Sequence, residues 1–176
     1  LPPGLQSRAA RPAVNNAQDL PLPPVSRTLA ELGIPHRVFT HPGKIHSLEQ
    51  AAAERGQQPD QVVRSILFRL GADEYLMVLM PGPRQVSWPA LRRYLGLSRL
   101  TMAAPDEVLR VTGYPIGAVA PLGLPTPMRI LVDRRLLEQE EISLGSGVIG
   151  TTIILRSADL LPALPGAELV DLSAEA

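Results

Sequence analysis

The 176-residue chain contains no cysteine. Disulfides, a thiolate nucleophile and cysteine-ligated metal are therefore excluded, and the absence fits a reducing compartment such as the cytoplasm. No apolar run approaches the roughly 20 residues that a membrane helix needs. Lysine is almost missing: of 17 basic residues only Lys44 is not an arginine. Arginine suits phosphate contacts, but a compositional bias of the genome explains the count more simply. There is no GxxxxGK[ST] phosphate loop, GxSxG elbow, HExxH pair or GxGxxG fingerprint. Nucleotide triphosphatases, serine hydrolases, zinc proteases and simple dinucleotide enzymes are thereby disfavoured. An excess of charge is lacking as well. The 17 basic residues face 17 acidic ones, which argues against indiscriminate coating of nucleic acid.

The balance is uneven along the chain. Residues 1–100 carry 12 basic and 7 acidic side chains, and the remainder 5 and 10. A basic first half leaves room for a local patch that takes one RNA end. Interleaving of the halves in the fold would average the asymmetry away, and the two readings stand level.

Residues 1–25 are rich in proline without an apolar period and read as a flexible tail. A single domain is expected over 26–176. Ser26 is placed to cap a helix that stops at Gly33. His36 to Thr40 alternates like a short strand, and Ser47-Leu48-Glu49-Gln50 is a capping-box start for a second helix. Val62 to Leu70 and Glu74 to Met80 form a hairpin around Gly71-Ala72-Asp73. Helices are expected from Ser87 to Gly96 and from Pro105 to Thr112. Strands follow at Met128 to Val132, Glu141 to Leu144 and Thr151 to Leu155. A helical turn is expected after Arg134, a last helix is capped by Ser157, and Glu168 to Val170 forms an edge strand. Strands come partly as hairpins and partly separated by helices, so the fold class is α+β, a mixed sheet with helices around it.

Two glycine-rich bends stand out. One runs from Thr112 to Gly123 and contains Gly117-Ala118-Val119-Ala120-Pro121. The other is Gly145-Ser146-Gly147-Val148-Ile149-Gly150. Such runs present bare backbone for close approach. They suggest a site built from main-chain N–H groups rather than from a side-chain nucleophile.

The Gly117 to Pro121 loop follows a Gly-x-x-x-Pro pattern. Val62-Val63-Arg64-Ser65-Ile66-Leu67, Ile130-Leu131-Val132-Asp133 and the segment from Gly145 to Leu155 accompany it in order. Together they resemble the editing-domain family that includes YbaK and the insertion domain of bacterial prolyl-tRNA synthetase, over roughly residues 26–172. The resemblance implies that family's fold, with a largely antiparallel sheet. It also implies a trans-editing hydrolase that deacylates mischarged aminoacyl-tRNA, such as tRNA-Pro carrying a small non-cognate amino acid. The implied partners are the aminoacyl-tRNA 3′ end and, secondarily, an aminoacyl-tRNA synthetase; no cofactor, metal or membrane is implied. The alternative is a non-catalytic module of the same fold that binds a tRNA end or a synthetase.

In this frame the amides around Gly117 and Ala118 would polarise the ester carbonyl, with Pro121 fixing the loop's exit. Water or the neighbouring ribose hydroxyl would attack. Ala118 stands where many relatives have a second glycine. Arg64 takes the place of the family's strand lysine and could clamp a terminal phosphate, though it cannot shuttle protons near neutral pH. Gly147 and Thr152 would form the pocket wall. Thr152 replaces an aspartate of the YbaK branch, which removes a carboxylate that could hold the substrate's amino group. His46, just before a helix cap, and Tyr114, inside the glycine loop, are further candidates for substrate contact, Tyr114 also being readable as a packing anchor. His36, His41 and His46 are read as loop histidines, because nothing beside them completes a metal set. Trp88 and Tyr94 are read as core residues.

Overall fold

In the computed structural model, which describes residues 21–174, helix α1 (Pro24–Glu31) begins two residues before the expected cap. Proline at the start needs no N–H partner, so the helix opens without a side-chain cap. Ser26 lies inside the first turn, buried, where its Oγ bonds His36 Nε2 at 2.7 Å. Helix α1 thus takes in Pro24 and Val25, which were expected to belong to the tail; residues 1–20 lie outside the described residues. Val25 and Leu29 on this helix are fully buried.

The elements then follow as β1 (Arg37–Thr40), α2 (Leu48–Glu54), β2 (Val63–Gly71), β3 (Glu74–Pro81), α3 (Trp88–Leu95), β4 (Thr101–Met102) and α4 (Pro105–Thr112). The second half holds β5 (Arg129–Asp133), β6 (Glu141–Gly145), β7 (Thr151–Arg156), α5 (Leu160–Ala163) and β8 (Glu168–Val170). Local chemistry explains the boundaries. Ser47 Oγ accepts from the Gln50 N–H and opens α2. Gly96 and Gly113, in left-handed conformation, close α3 and α4. Ser157 opens a 3₁₀ turn rather than the last helix itself.

The strands form two sheets rather than one. A three-stranded antiparallel sheet has the order β1-β7-β6, and a five-stranded mixed sheet the order β4-β2-β3-β5-β8. The hairpin β2–β3 is antiparallel, whereas β3–β5 and β5–β8 are parallel. A parallel bridge between Val62 and Ser143 joins the sheets. Strand β4, two residues long, was not expected from its composition; it pairs Phe68 with Met102 and Arg69 with Thr101.

Alternation along β3 sorts the core. Met77 and Leu79 face one cluster with α1, β6 and β7, while Leu76, Val78 and Met80 face a second with Phe68 and Leu91. Both faces of β3 are thus covered, and each fully buried Leu or Met there contributes about 1.5–3 kcal/mol. Trp88 meets Phe68 edge-on at 5.2 Å. Tyr94 departs from the core expectation: it is 42% exposed, and its hydroxyl donates to Glu168.

Candidate functional site

Between the Val62–Ser143 bridge and the β4 pairing, the outer edge of β2 has no strand partner among the described residues. A cleft of about 650 Å³ opens along this edge. Its floor is Val62 and the first half of β2, Val63 to Leu67, and its walls come from α2, from Ile116, Gly117 and Val119, and from the β6–β7 turn. The cleft is largely apolar, rimmed by the exposed side chains of Met102, Ile116 and Ile149.

The two glycine bends meet here, backbone against backbone. A Cβ on Gly145 would lie 2.1 Å from the Val119 carbonyl oxygen, so only glycine lets the strands and loop approach this closely. The Gly147 N–H donates to the Ala118 carbonyl at 3.0 Å, and the Ala118 N–H donates to Pro115 O at 3.0 Å. Both polar groups of Ala118 are therefore spent in holding the loop. Gly117 differs. It lines the cleft with φ +96°, a Cβ there would meet nothing within 4 Å, and its N–H has no hydrogen-bond partner among the described residues.

A polar cluster forms the opposing wall. His41 is buried, and its Nδ1 lies 2.5 Å from Glu54 Oε2. Its Nε2 lies 3.0 Å from Arg55 Nη1. Arginine can only donate, so Nε2 accepts and the proton sits on Nδ1, donated to Glu54. Arg55 also donates to Ser143 Oγ at 3.0 Å and to Gln57 Oε1 at 3.2 Å, and approaches Thr152 Oγ1 at 3.5 Å. The hydrogen bond from His41 holds the Glu54 carboxyl below its ordinary pKa, against the opposing effect of desolvation. Burial lowers the Arg55 pKa, which the Glu54 charge partly offsets. His41 lies outside every helix and strand, as expected, but it is buried, and α2 brings Glu54 to it as a partner.

Of the residues singled out from sequence, Arg64, Gly117 and Thr152 line the cleft. The Arg64 guanidinium is already engaged. Its Nε donates to the Gly82 carbonyl at 2.7 Å and Nη2 donates to the Arg84 carbonyl. Desolvation lowers its pKa from the usual arginine value. Ala118 and Pro121 are buried behind the loop. Tyr114 is buried too, its hydroxyl donating to the carbonyls of Leu122 at 2.7 Å and Gly123 at 3.2 Å, so its role is packing. Gly147 sits against the Tyr114 ring and Pro24 rather than in the wall. His46 is exposed outside the lining, with its N–H donating to Gln50 Oε1. Gly147, Tyr114, Ala118 and Pro121 thus form the support of the site, not its surface.

Arg55 and Ser143 were missed. An arginine at the C-cap of a helix, just before Gly56, reads as an ordinary helix ending. Nothing local marks Ser143 as its partner. Among the described residues no group of three His, Asp or Glu could hold a metal, and no helix is long and apolar enough to cross a membrane.

Residues 42–162 match the model of a family described as the aminoacyl-tRNA editing domain. The multifunctional Ser/Thr-tRNA deacylase ProXp-y of Escherichia coli K12 is 26% identical over 137 residues, covering 76% of this chain and 81% of that protein. The proline–tRNA ligase of Thermosipho melanesiensis is 32% identical over 109 residues, covering 62% of this chain. This chain spans only 19% of that ligase. Among solved structures, a candidate trans-editing enzyme for prolyl tRNA synthetase matches with a TM-score of 0.78 at 29% identity, over 86% of this chain and 96% of that one.

Proposed function

The chain belongs to the aminoacyl-tRNA editing domain family, and on that premise we propose that it is an ester hydrolase that removes a mismatched amino acid from tRNA in trans. Support comes from relatives named as a tRNA deacylase and a candidate trans-editing enzyme. The observation that carries the reading is the cleft, where the partnerless Gly117 amide stands at a rigidly packed glycine junction.

An aminoacyl ester is already labile, so the protein needs to orient it and stabilise the charge that grows on the carbonyl oxygen. The Gly117 N–H donates to that oxygen. A water oxygen bonds the carbonyl carbon, the bond to the ribose oxygen breaks, and the ribose oxygen takes the water's proton. Losing one such donor costs about 3–4 kcal/mol in comparable sites. Ala118 does not donate, its N–H being held by Pro115 O. Arg64, fixed by two carbonyls, contributes positive charge beside the terminal phosphates rather than a free bidentate clamp. Thr152 offers a hydroxyl to the acyl group. Small pockets discriminate poorly between near-isosteres, which is why a second hydrolytic sieve is useful. We assign the cytoplasm, where aminoacyl-tRNA is made and used.

The test is a deacylation panel with purified protein and tRNA charged with alanine, serine, cysteine or proline. Release of at least one amino acid well above the buffer rate is expected. Release at the buffer rate throughout, together with tight binding of the tRNA end, would identify a non-catalytic module instead. The engaged guanidinium of Arg64 is the observation that keeps that second reading in play.

A further inference from the structure

The charges lining the cleft are one-sided. Lys44, Arg55 and Arg64 contribute fixed positive charges to it, and no Asp or Glu is part of the lining. Arg55 is the inner one. None of its hydrogen-bond partners is a carboxylate: they are the His41 ring, Gln57 Oε1, Ser143 Oγ and Thr152 Oγ1. Among the described residues no carboxylate lies within ion-pair distance of it. Two acids stand one group away: Glu54 behind the imidazole of His41, its charge acting on Arg55 without direct contact, and Glu141 behind the Gln57 amide. A half-buried guanidinium that touches no carboxylate among the described residues is an unusual thing to keep in an apolar cleft, because desolvating a charge is costly unless it is directly paired. Its planar fork suits a carboxylate or a phosphate.

Position narrows the role. Ser143, which Arg55 holds, and Gly145, on which the Gly117 loop packs, are two residues apart on the same face of β6. That step is about 7 Å. An ester carbonyl at the Gly117 amide and an anionic group at Arg55 can thus belong to one small ligand. The ammonium of an acyl group, by contrast, finds no carboxylate in the lining and a guanidinium beside Thr152.

We propose that Arg55 is the anion-binding residue of this cleft and selects ligands that carry a carboxylate or phosphate beside the scissile ester. This rests on the reading of the cleft as an acyl-ester site and adds the charge class of what enters it. Two sources supply that chemistry, an acidic side chain on the acyl group and the terminal phosphodiester of the RNA.

The experiment measures binding, so that it stands apart from hydrolysis. Affinities are determined calorimetrically for two pairs of ligands. The first pair is the 3′-amide-linked aspartyl and asparaginyl derivatives of 3′-amino-3′-deoxyadenosine. The second is adenosine 5′-monophosphate and adenosine. A charge-assisted contact predicts about tenfold or greater preference for the anionic member of one pair. Preference within the first pair assigns the carboxylate, and within the second the phosphodiester. In Arg55→Gln that preference should fall to near parity. Equal binding within both pairs by the wild-type protein overturns the proposal even if the variant does not fold. So does a preference that survives undiminished in Arg55→Gln. Deacylation of a neutral aminoacyl-tRNA without either preference would leave the hydrolase reading intact and remove this one.

Discussion

The two glycine bends touch each other, yet they use glycine for opposite reasons. At 145–147 glycine is required because something is too close. A side chain on Gly145 would meet the Val119 carbonyl, and one on Gly147 would come 2.8 Å from the Tyr114 ring. At Gly117 nothing lies within 4 Å of a built Cβ, and only the positive φ asks for glycine. The first bend is a packing device that fixes the second in place. The second keeps an amide without a partner and faces the cleft. Glycine density alone therefore does not mark a binding loop; what matters is whether space or contact surrounds it.

Substitutions should separate the two bends. The largest effect is expected for Gly145→Ala, because the clash is with backbone that cannot rotate away. A loss of about 3 kcal/mol in urea unfolding is expected, with loss of activity following the displaced loop. Gly147→Ala combines a φ of +90° with contact on an aromatic ring, and a loss of about 2 kcal/mol is expected. Gly117→Ala should behave in the reverse manner. Strain of about 1 kcal/mol is expected in stability, but deacylation should fall by roughly tenfold or more as the amide tilts. If Gly117→Ala cost more stability than Gly145→Ala while leaving kcat intact, the division between support and surface would be lost.

Tyr114→Phe sharpens the comparison at a smaller scale. The ring that packs on Gly147 stays, while the Leu122 and Gly123 carbonyls lose a buried donor. A destabilisation of about 1 kcal/mol with unchanged KM is expected. A KM that rises several-fold without a stability loss would return Tyr114 to the ligand-contacting set.

Local signals carried most elements of this fold into the sequence reading. The serine caps at Ser47 and Ser87, the stops at Gly96 and Gly113, and the hairpin around Asp73 all rest on neighbours a few residues apart. The start of α1 was displaced because Pro24 and Ser26 are both plausible openers, and burial of Ser26 against His36 is a tertiary fact. Strand β4 is too short to show a period. The division into two sheets depends on a bridge between residues 62 and 143, which no window of sequence contains. The site followed the same rule. Gly117, Arg64 and Thr152 come from motifs that fold onto one cleft, but the direction of the Arg64 guanidinium is set by carbonyls of the β3–α3 connection. The wall of His41, Glu54, Arg55 and Ser143 draws on three segments, the residue after β1, the end of α2 and β6, and has no sequence signature.

That wall also gives the smallest effect, and it contrasts side-chain support with the backbone support of the glycine bends. Glu54 has a pKa below its ordinary value because it accepts from His41. A carboxylate whose folded pKa is lowered stabilises the protein above its unfolded value, near 4.5, and loses that contribution as pH falls through the folded one. Thermal unfolding of the wild type should therefore decline more steeply than that of Glu54→Gln below about pH 4.5, and the two curves should run parallel between pH 6 and 8. Because Glu54 is partly exposed, the difference is also expected to shrink in high salt. The one titrating group in the glycine bends, Tyr114, has a pKa raised above the ordinary phenol value and stays neutral throughout this range, so the Gly145→Ala penalty should be the same at pH 4 and pH 7. A penalty that changes with pH in step with Glu54 would mean that the charged wall and the backbone junction form one cooperative unit.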